Sequence, residues 1–231
     1  MSKNLKIFLG ISYLILLFIF LYFIFSWIEI NKLNDFSYYK ELQKDLSNYV
    51  SANKITNMIY FFIFAIIWVA LLGFGSPLLI ISGILFGQLV GTLISVISIS
   101  VGALILYSIG NFFFRDLVKK ILEHKFNKYI LLFKKNEFFY FFIYRFIGGL
   151  GVPFGLQNLI PILFGMNKLN YFFSSLLGFI PGFFIFNTIG AGLNTYVKQS
   201  EEFNMLDLIL SPAIYTPIFL FACLIFISLL I

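Results

Sequence analysis

The chain has 231 residues, of which 61% are hydrophobic and only 11% charged, with a mean hydropathy of +0.98 and a net charge of +6. So little polar surface cannot coat a soluble globule, and the composition defines an integral membrane protein. The basic excess is gathered largely on one side of that membrane rather than spread over a soluble face, which excludes a nucleic-acid binder.

The first apolar run, Ile7 to Ile28, follows Lys3 and Lys6 and makes a helix of about 33 Å. It is longer than the apolar region of a signal peptide and has no small-x-small cleavage site before Glu29. It reads as an uncleaved anchor with Trp27 at the interface. The polar segment Glu29 to Lys54 follows, with Phe36, Tyr39, Leu42, Leu46, Tyr49 and Val50 at helical intervals. That pattern fits an amphipathic helix, and a solvated connector is the alternative.

From Met58 to Gly73 there are 16 apolar residues, about 24 Å as helix, ending at the break Gly73-Phe74-Gly75-Ser76-Pro77; the alternative is that with flanking residues this run crosses fully and changes the parity of the spans. The next arm, Pro77 to Gly87, reaches only about 17 Å and cannot cross a hydrocarbon core of about 30 Å. Irregular backbone at membrane depth persists only when buried in protein or lining a wet cavity, so a re-entrant hairpin is expected. Gly91 to Phe114 then crosses as an inner helix with small residues at packing intervals. Arg115 to Glu137 carries seven basic residues and a helical apolar stripe. It reads as a basic amphipathic helix on an anionic leaflet, or as a positive loop.

The stretch Phe138 to Gly165 repeats the broken pattern, with arms Phe138 to Ile147 and Phe154 to Gly165 of about 15 and 18 Å. Leu169 to Leu193 is a crossing helix with a kink expected at Gly178, Pro181 and Gly182. Leu208 to Ile231, with Pro212 and Pro217 near its start, is the last expected span.

Two halves of the chain share these signals. Gly75-x-Pro77, Ile84 to Gly87, Gly102 and Gly110 recur as Gly151-x-Pro153, Ile162 to Gly165, Gly182 and Gly190. The fold class is therefore an all-α integral membrane protein, with four full transmembrane helices plus two opposed re-entrant helical hairpins in an inverted repeat. Residues 1–56 form the anchor and amphipathic segment, 57–193 the core, and 194–231 the C-terminal helix. With both termini cytoplasmic, the inner side collects Lys3, Lys6, the seven basic residues of 115–137 and Lys168. The outer side holds five lysines against seven carboxylates, which satisfies the positive-inside rule.

Arg145 is the charged residue of the second hairpin, and a charge at that depth costs at least about 2.5–3.5 kcal/mol, so it needs a cavity, a backbone cage or an anion. Its planar fork suits paired hydrogen bonds to phosphate. Snorkelling to the interface is the alternative. Gly148, Gly149, Gly151 and Pro153, with Gly75, Ser76 and Pro77 of the first break, are expected to supply the broken backbone whose freed polar groups build the same site. Gln157 and Asn158 add polar side chains. No catalytic residue, cofactor or metal ligand is expected, because the spans hold no carboxylate pair, no Ser-His constellation and no ligand cluster. Solitary Cys223 and His124 read as a packing residue and a surface residue.

Gly83-Ile84-Leu85-Phe86-Gly87 with Gly102 and Gly110 resembles the DedA superfamily, in particular its VTT-domain, SNARE-associated or Golgi Tvp-like, branch. So does Phe141-x-x-x-Arg145 followed by Pro153, Asn158, Gly165, Gly178, Pro181-Gly182 and Gly190. The resemblance covers roughly Phe61 to Leu193. It implies opposed re-entrant hairpins and movement of lipids between leaflets, of polyprenyl phosphates or phospholipids in bacterial members, with membrane lipids bearing anionic phosphate headgroups as partners. A bacterial inner membrane location follows, and a homo-oligomer is compatible with it; the alternative function is a non-transporting assembly or trafficking factor. Two departures stand out: Gly148 where the family often has proline, and no Asp or Glu between Asp45 and Asp116. The second favours passive translocation over proton-coupled export.

Overall fold

The computed structural model describes residues 3–26, 36–199 and 204–230, and every element among them is helical. Trp27, Glu29, Asp35, Glu201 and Glu202 lie outside the described residues, as do the side chains of His124 and of most of 117–129.

Helix α1, Lys3–Ser26, covers the expected anchor as far as Ser26 and meets the core at a few points. Phe20 packs on Trp68 with centroids 6.0 Å apart, and Tyr13 donates to the carbonyl of Leu71 at 2.8 Å. Helix α2, Phe36–Ala52, is the amphipathic helix of the polar segment. It is more than a solvated connector, since Val50 is buried and Gln43 Nε2 donates to Asn194 Oδ1 at 2.7 Å.

Helix α3, Lys54–Leu72, has 19 residues, so the short arm expected over Met58 to Gly73 is instead a helix long and apolar enough to cross a membrane. Its added first turn is held by Asn57, which is buried and donates from Nδ2 to Tyr49 O at 3.1 Å. A polar residue that looks like a boundary is thereby absorbed. The helix ends at Gly73 in a left-handed conformation, φ 71°, and the carbonyl of Phe74 in the break accepts from Trp68 Nε1 at 2.9 Å. Such partners make irregular backbone tolerable away from water. Helix α4, Ser76–Phe86, has 11 residues, about 17 Å, as the sequence suggests.

Helix α5, Gln88–Lys135, runs unbroken for 48 residues. Its start, Gln88–Asp116, has spanning length and hydropathy. The basic stretch 115–135 is therefore neither a separate leaflet helix nor a loop; it continues the same helix, because no Gly or Pro follows Gly110 to stop it. Helices α6, Glu137–Phe146, and α7, Phe154–Phe164, are the two short arms of the second break, about 15 and 17 Å long. Helix α8, Lys168–Gln199, is one 32-residue element across Pro181 and the third helix of spanning length among the described residues. The last apolar run divides at Ser211 into α9, Met205–Leu210, and α10, Pro212–Leu230, with Pro212 opening the second piece and α10 lying on α8.

Helices α5 and α8 form the centre and run antiparallel. Tyr107 stacks on Tyr171 with centroids 4.5 Å apart and planes at 11°, while Gly91 sits so close to Asn187 that a Cβ would lie 2.5 Å from its Oδ1. The 80-residue shift from Gly102 to Gly182 also carries 91 to 171 and 107 to 187, so it exchanges these two contacts. The short helices cross over in the same sense: α4 packs on α8, where Gly190 would place a Cβ 2.2 Å from Ile80 O, and α7 packs on α5 beside Gly110. α3 lies on α5 and α6 on α8. Absent side chains let these backbones approach, and packing rather than hydrophobic contrast holds helices together in lipid.

Candidate functional site

The site begins at the second break. Asn136 accepts from Phe139 N–H at 3.3 Å and starts α6, while the Glu137 carboxylate takes the N–H of Asn167 at 3.0 Å and the amide of Asn170 at 2.6 Å. The near end of α6 is thus tied to the start of α8. Its far end runs into a turn, Gly148–Gly151, in which four successive residues have positive φ: 75°, 72°, 54° and 76°. Only glycine adopts this without strain, and Leu150 is the one exception. Gln157, on the first turns of α7, straps the turn by donating from Nε2 to Val152 O at 2.6 Å and Gly148 O at 3.3 Å. Gly149 lies directly beneath that amide, where a Cβ would sit 2.2 Å from Gln157 Cδ.

This strap meets Arg145. The arginine is 2% exposed and does not snorkel; it points into protein. Nη1 donates to Gln157 Oε1 at 2.9 Å, and Nη2 donates to Asn158 Oδ1 and to the Tyr171 hydroxyl at 3.1 Å. Its guanidinium carbon lies 4.7 Å from the ring centre of Phe179, 4.8 Å from Phe141, 5.5 Å from Phe154 and 5.8 Å from Tyr171. Hydrogen bonds to a charged group contribute about 1.5–3 kcal/mol each, and desolvated cation–π contacts up to about 2, so the cage matches the insertion cost. None of these partners is an anion. In 138–167 Arg145 is the only charged residue, and among the described residues no carboxylate pairs with it.

The fork expected for phosphate is consequently not open: both Nη2 hydrogens are engaged. Arg145 Nε and Asn158 Nδ2 are buried without a partner among the described residues.

Arg145 also lines a cavity of about 310 Å³. On one side are Gly75, Ser76 and Leu79 at the start of α4, and on another Gly148, Gly151 to Phe154, and Gln157. Phe179, Gly182, Phe183 and Phe186 of α8 complete it. The two breaks touch here, since a Cβ on Gly73 would lie 3.4 Å from Gly155 Cα, and one on Gly75 would lie 4.0 Å from the Phe154 ring.

Of the residues singled out in the sequence, Arg145, Gly148, Gly151, Pro153, Gln157, Gly75 and Ser76 line this space. Gly149 lies under Gln157, and Asn158 stands behind as a partner of Arg145. Pro77 does not join them; it is exposed on the first turn of α4. Sequence reasoning missed the wall from α8. Phe179, Gly182, Phe183 and Phe186 share one helical face, with Tyr171 two turns earlier, but the other faces of α8 are apolar too, so that spacing alone does not single the wall out. Among the described residues no group of His, Cys, Asp or Glu is placed to hold a metal.

Spanning helices, two broken segments and a cavity holding one buried cation define a polytopic integral membrane protein with an internal polar site. The family model of the VTT domain matches residues 58–192, and the chain belongs to this DedA/SNARE-associated family. Comparison with curated proteins and with solved structures gives no match.

Proposed function

We propose that the chain translocates phosphate-bearing lipids, polyprenyl phosphate or phospholipid, between the leaflets of a bacterial inner membrane. The observation that carries this reading is Arg145, buried without a counter-charge among the described residues and lining a cavity where the two breaks meet. A lipid phosphate supplies the missing anion. The turn at Gly148, Gly149 and Gly151 and the start of α4 at Gly75 and Ser76 add neutral backbone donors around it, while Pro153 and Pro77 keep the two breaks from closing into helix and Gln157 straps the turn. The aromatic wall of α8 keeps the headgroup dry while the tail stays in the bilayer.

In this reading α3, although long enough to cross, is an arm of the first broken segment, so that α3–α5 and α6–α8 are an inverted repeat whose broken segments enter from opposite sides, with both termini cytoplasmic. Support comes from the exchange of the Tyr107–Tyr171 and Gly91–Asn187 contacts under the 80-residue shift. No cofactor or catalytic step is required, and a homo-oligomer is compatible with the arrangement.

The test is translocation of labelled lipid in proteoliposomes by the native chain, by Arg145→Ala, and by a Lys134→Ala, Lys135→Ala control on the exposed end of α5. Transport that survives in the control and vanishes with Arg145→Ala in folded protein supports the reading. Full activity of Arg145→Ala, or no transport by the native chain, sinks it in favour of a non-transporting assembly or trafficking factor.

A further inference from the structure

Resting on that reading, we infer that the cavity selects headgroups by net charge: it takes a phosphate carrying one negative charge, and admits a phosphate monoester only with a proton on it. The stretches 55–114, 138–167 and 169–197, which build the cavity and its supports, contain one charged side chain, Arg145. Among the described residues that line the cavity it is likewise the only charged one.

A singly charged phosphate pairs with Arg145 and leaves a neutral complex. A doubly charged phosphate leaves one charge without a partner in a site walled by Phe154, Phe179, Phe183 and Phe186. The helix starts at Ser76 and Phe154 orient partial positive charge toward the space, but a helix dipole carries no net charge and cannot neutralise the second one. A second buried charge needs partners of its own, and the cavity lining holds no second cation for it. Gln157 is neutral, and its amide is committed to Val152 O and Gly148 O.

The proton on a monoester would then travel with the lipid. It arrives bound to a phosphate oxygen, crosses there, and dissociates on the far side, so one proton moves per monoester lipid with no titrating group in the protein. The titratable groups facing Arg145 are Tyr144 on α6, Tyr171 on α8, and Tyr107 of α5 stacked on Tyr171; Glu137 sits at the other end of α6 on Asn167 and Asn170. Helices α4 and α7 contribute none. Phenols ordinarily ionise near about pH 10, so pH dependence between about 5 and 8 belongs to the ligand.

Phosphatidic acid and phosphatidylmethanol with identical acyl chains separate these cases, one a monoester and the other a diester of almost the same size. In proteoliposomes, after subtraction of protein-free vesicles, the diester should move at a rate nearly independent of pH. Since a phosphate monoester loses its second proton near about pH 6, its singly charged fraction, and with it the rate, should fall on the order of a hundredfold from pH 5 to pH 8. Equal rates for the two lipids at the higher pH, or the same pH profile for both, would overturn the inference while leaving lipid transport standing. If neither lipid moves, the transport reading itself has failed. Binding then decides the charge preference: short-chain forms added to the detergent-solubilised protein at the higher pH should raise its melting temperature more for the diester. An equal or reversed effect overturns the preference.

Discussion

The hydroxyl of Tyr171 lies 3.1 Å from Nη2 of Arg145, reaching from α8 across to α6. The same oxygen is 3.0 Å from Asn158 Oδ1 and 3.3 Å from Ala103 O, so one phenol joins the cation to α7 and α5. Its ring is held by stacking on Tyr107, whose own hydroxyl donates to Met166 O at 2.6 Å. Tyr171→Phe should keep this stack and remove the hydroxyl's bonds to Arg145, Asn158 and Ala103, of which the one to the charged group alone contributes about 1.5–3 kcal/mol. Unfolding in mixed micelles should show that loss, while transport persists because the released Nη2 hydrogen turns to the ligand. Unchanged stability, or abolished transport in folded protein, would contradict the role given to the hydroxyl.

Arg145→Met separates folding from function. Replacing a buried charge by an apolar side chain of similar length is often close to neutral, and the cost here comes from Gln157, Asn158 and Tyr171 losing their donor. A loss of about 1–3 kcal/mol is expected, for those unpaired groups, with the protein still folded. Translocation of anionic lipid should disappear. Size-exclusion behaviour and melting in detergent check the first claim and the proteoliposome assay the second; native transport rates would refute the site.

Much of this site was legible because its signals are local. A lone arginine in an apolar run stands out, and Gly148 to Gly151 require positive φ that side chains resist, so the break could be read without knowing what packs on it. Gln157 and Asn158 were visible as polar residues one turn into the next helix. The α8 wall was not, because a helix apolar all round gives no periodic hint of which face meets protein and which meets lipid. The unbroken α5 was hidden for a related reason. The change from apolar to basic at Arg115 marks a change of solvent, and the backbone need not respond to it. The early start of α3 depended on Asn57 finding Tyr49 O, a contact eight residues back that no pattern announces.

Two glycines one turn apart on α8 should behave oppositely. Gly182 has nothing within 4 Å of where a Cβ would stand, and it lines the cavity. Gly182→Leu should therefore fold as well as the native chain, or gain about 0.5–1 kcal/mol from helix propensity, while filling the cavity and stopping transport. A Cβ on Gly178 would lie 2.5 Å from Arg145 Cβ and 3.0 Å from Phe142 O. Gly178→Leu should cost about 1–3 kcal/mol or more through overpacking against α6. Parallel melts and flux measurements test the pair; an active Gly182→Leu would place the headgroup path elsewhere.

The two halves also make a graded prediction at equivalent glycines. A Cβ on Gly190 would lie 2.2 Å from the backbone oxygen of Ile80, and α4 can relieve that only by moving as a whole. At Gly110 the nearest atom is Leu159 Cδ2 at 2.5 Å, the end of a flexible side chain that can turn aside, although Ile162 Cδ1 follows at 2.9 Å. Gly190→Ala should therefore be the more damaging, by about 1–3 kcal/mol for strained packing, with Gly110→Ala losing less. Because α4 carries Gly75 and Ser76 into the cavity, displacing it should also lower transport, and the Gly110 substitution, which only turns a side chain of α7, should largely spare it. Unfolding midpoints in mixed micelles rank the two. If Gly110→Ala proves the worse in both stability and flux, the crossed packing of α4 on α8 is not what holds the first break in place.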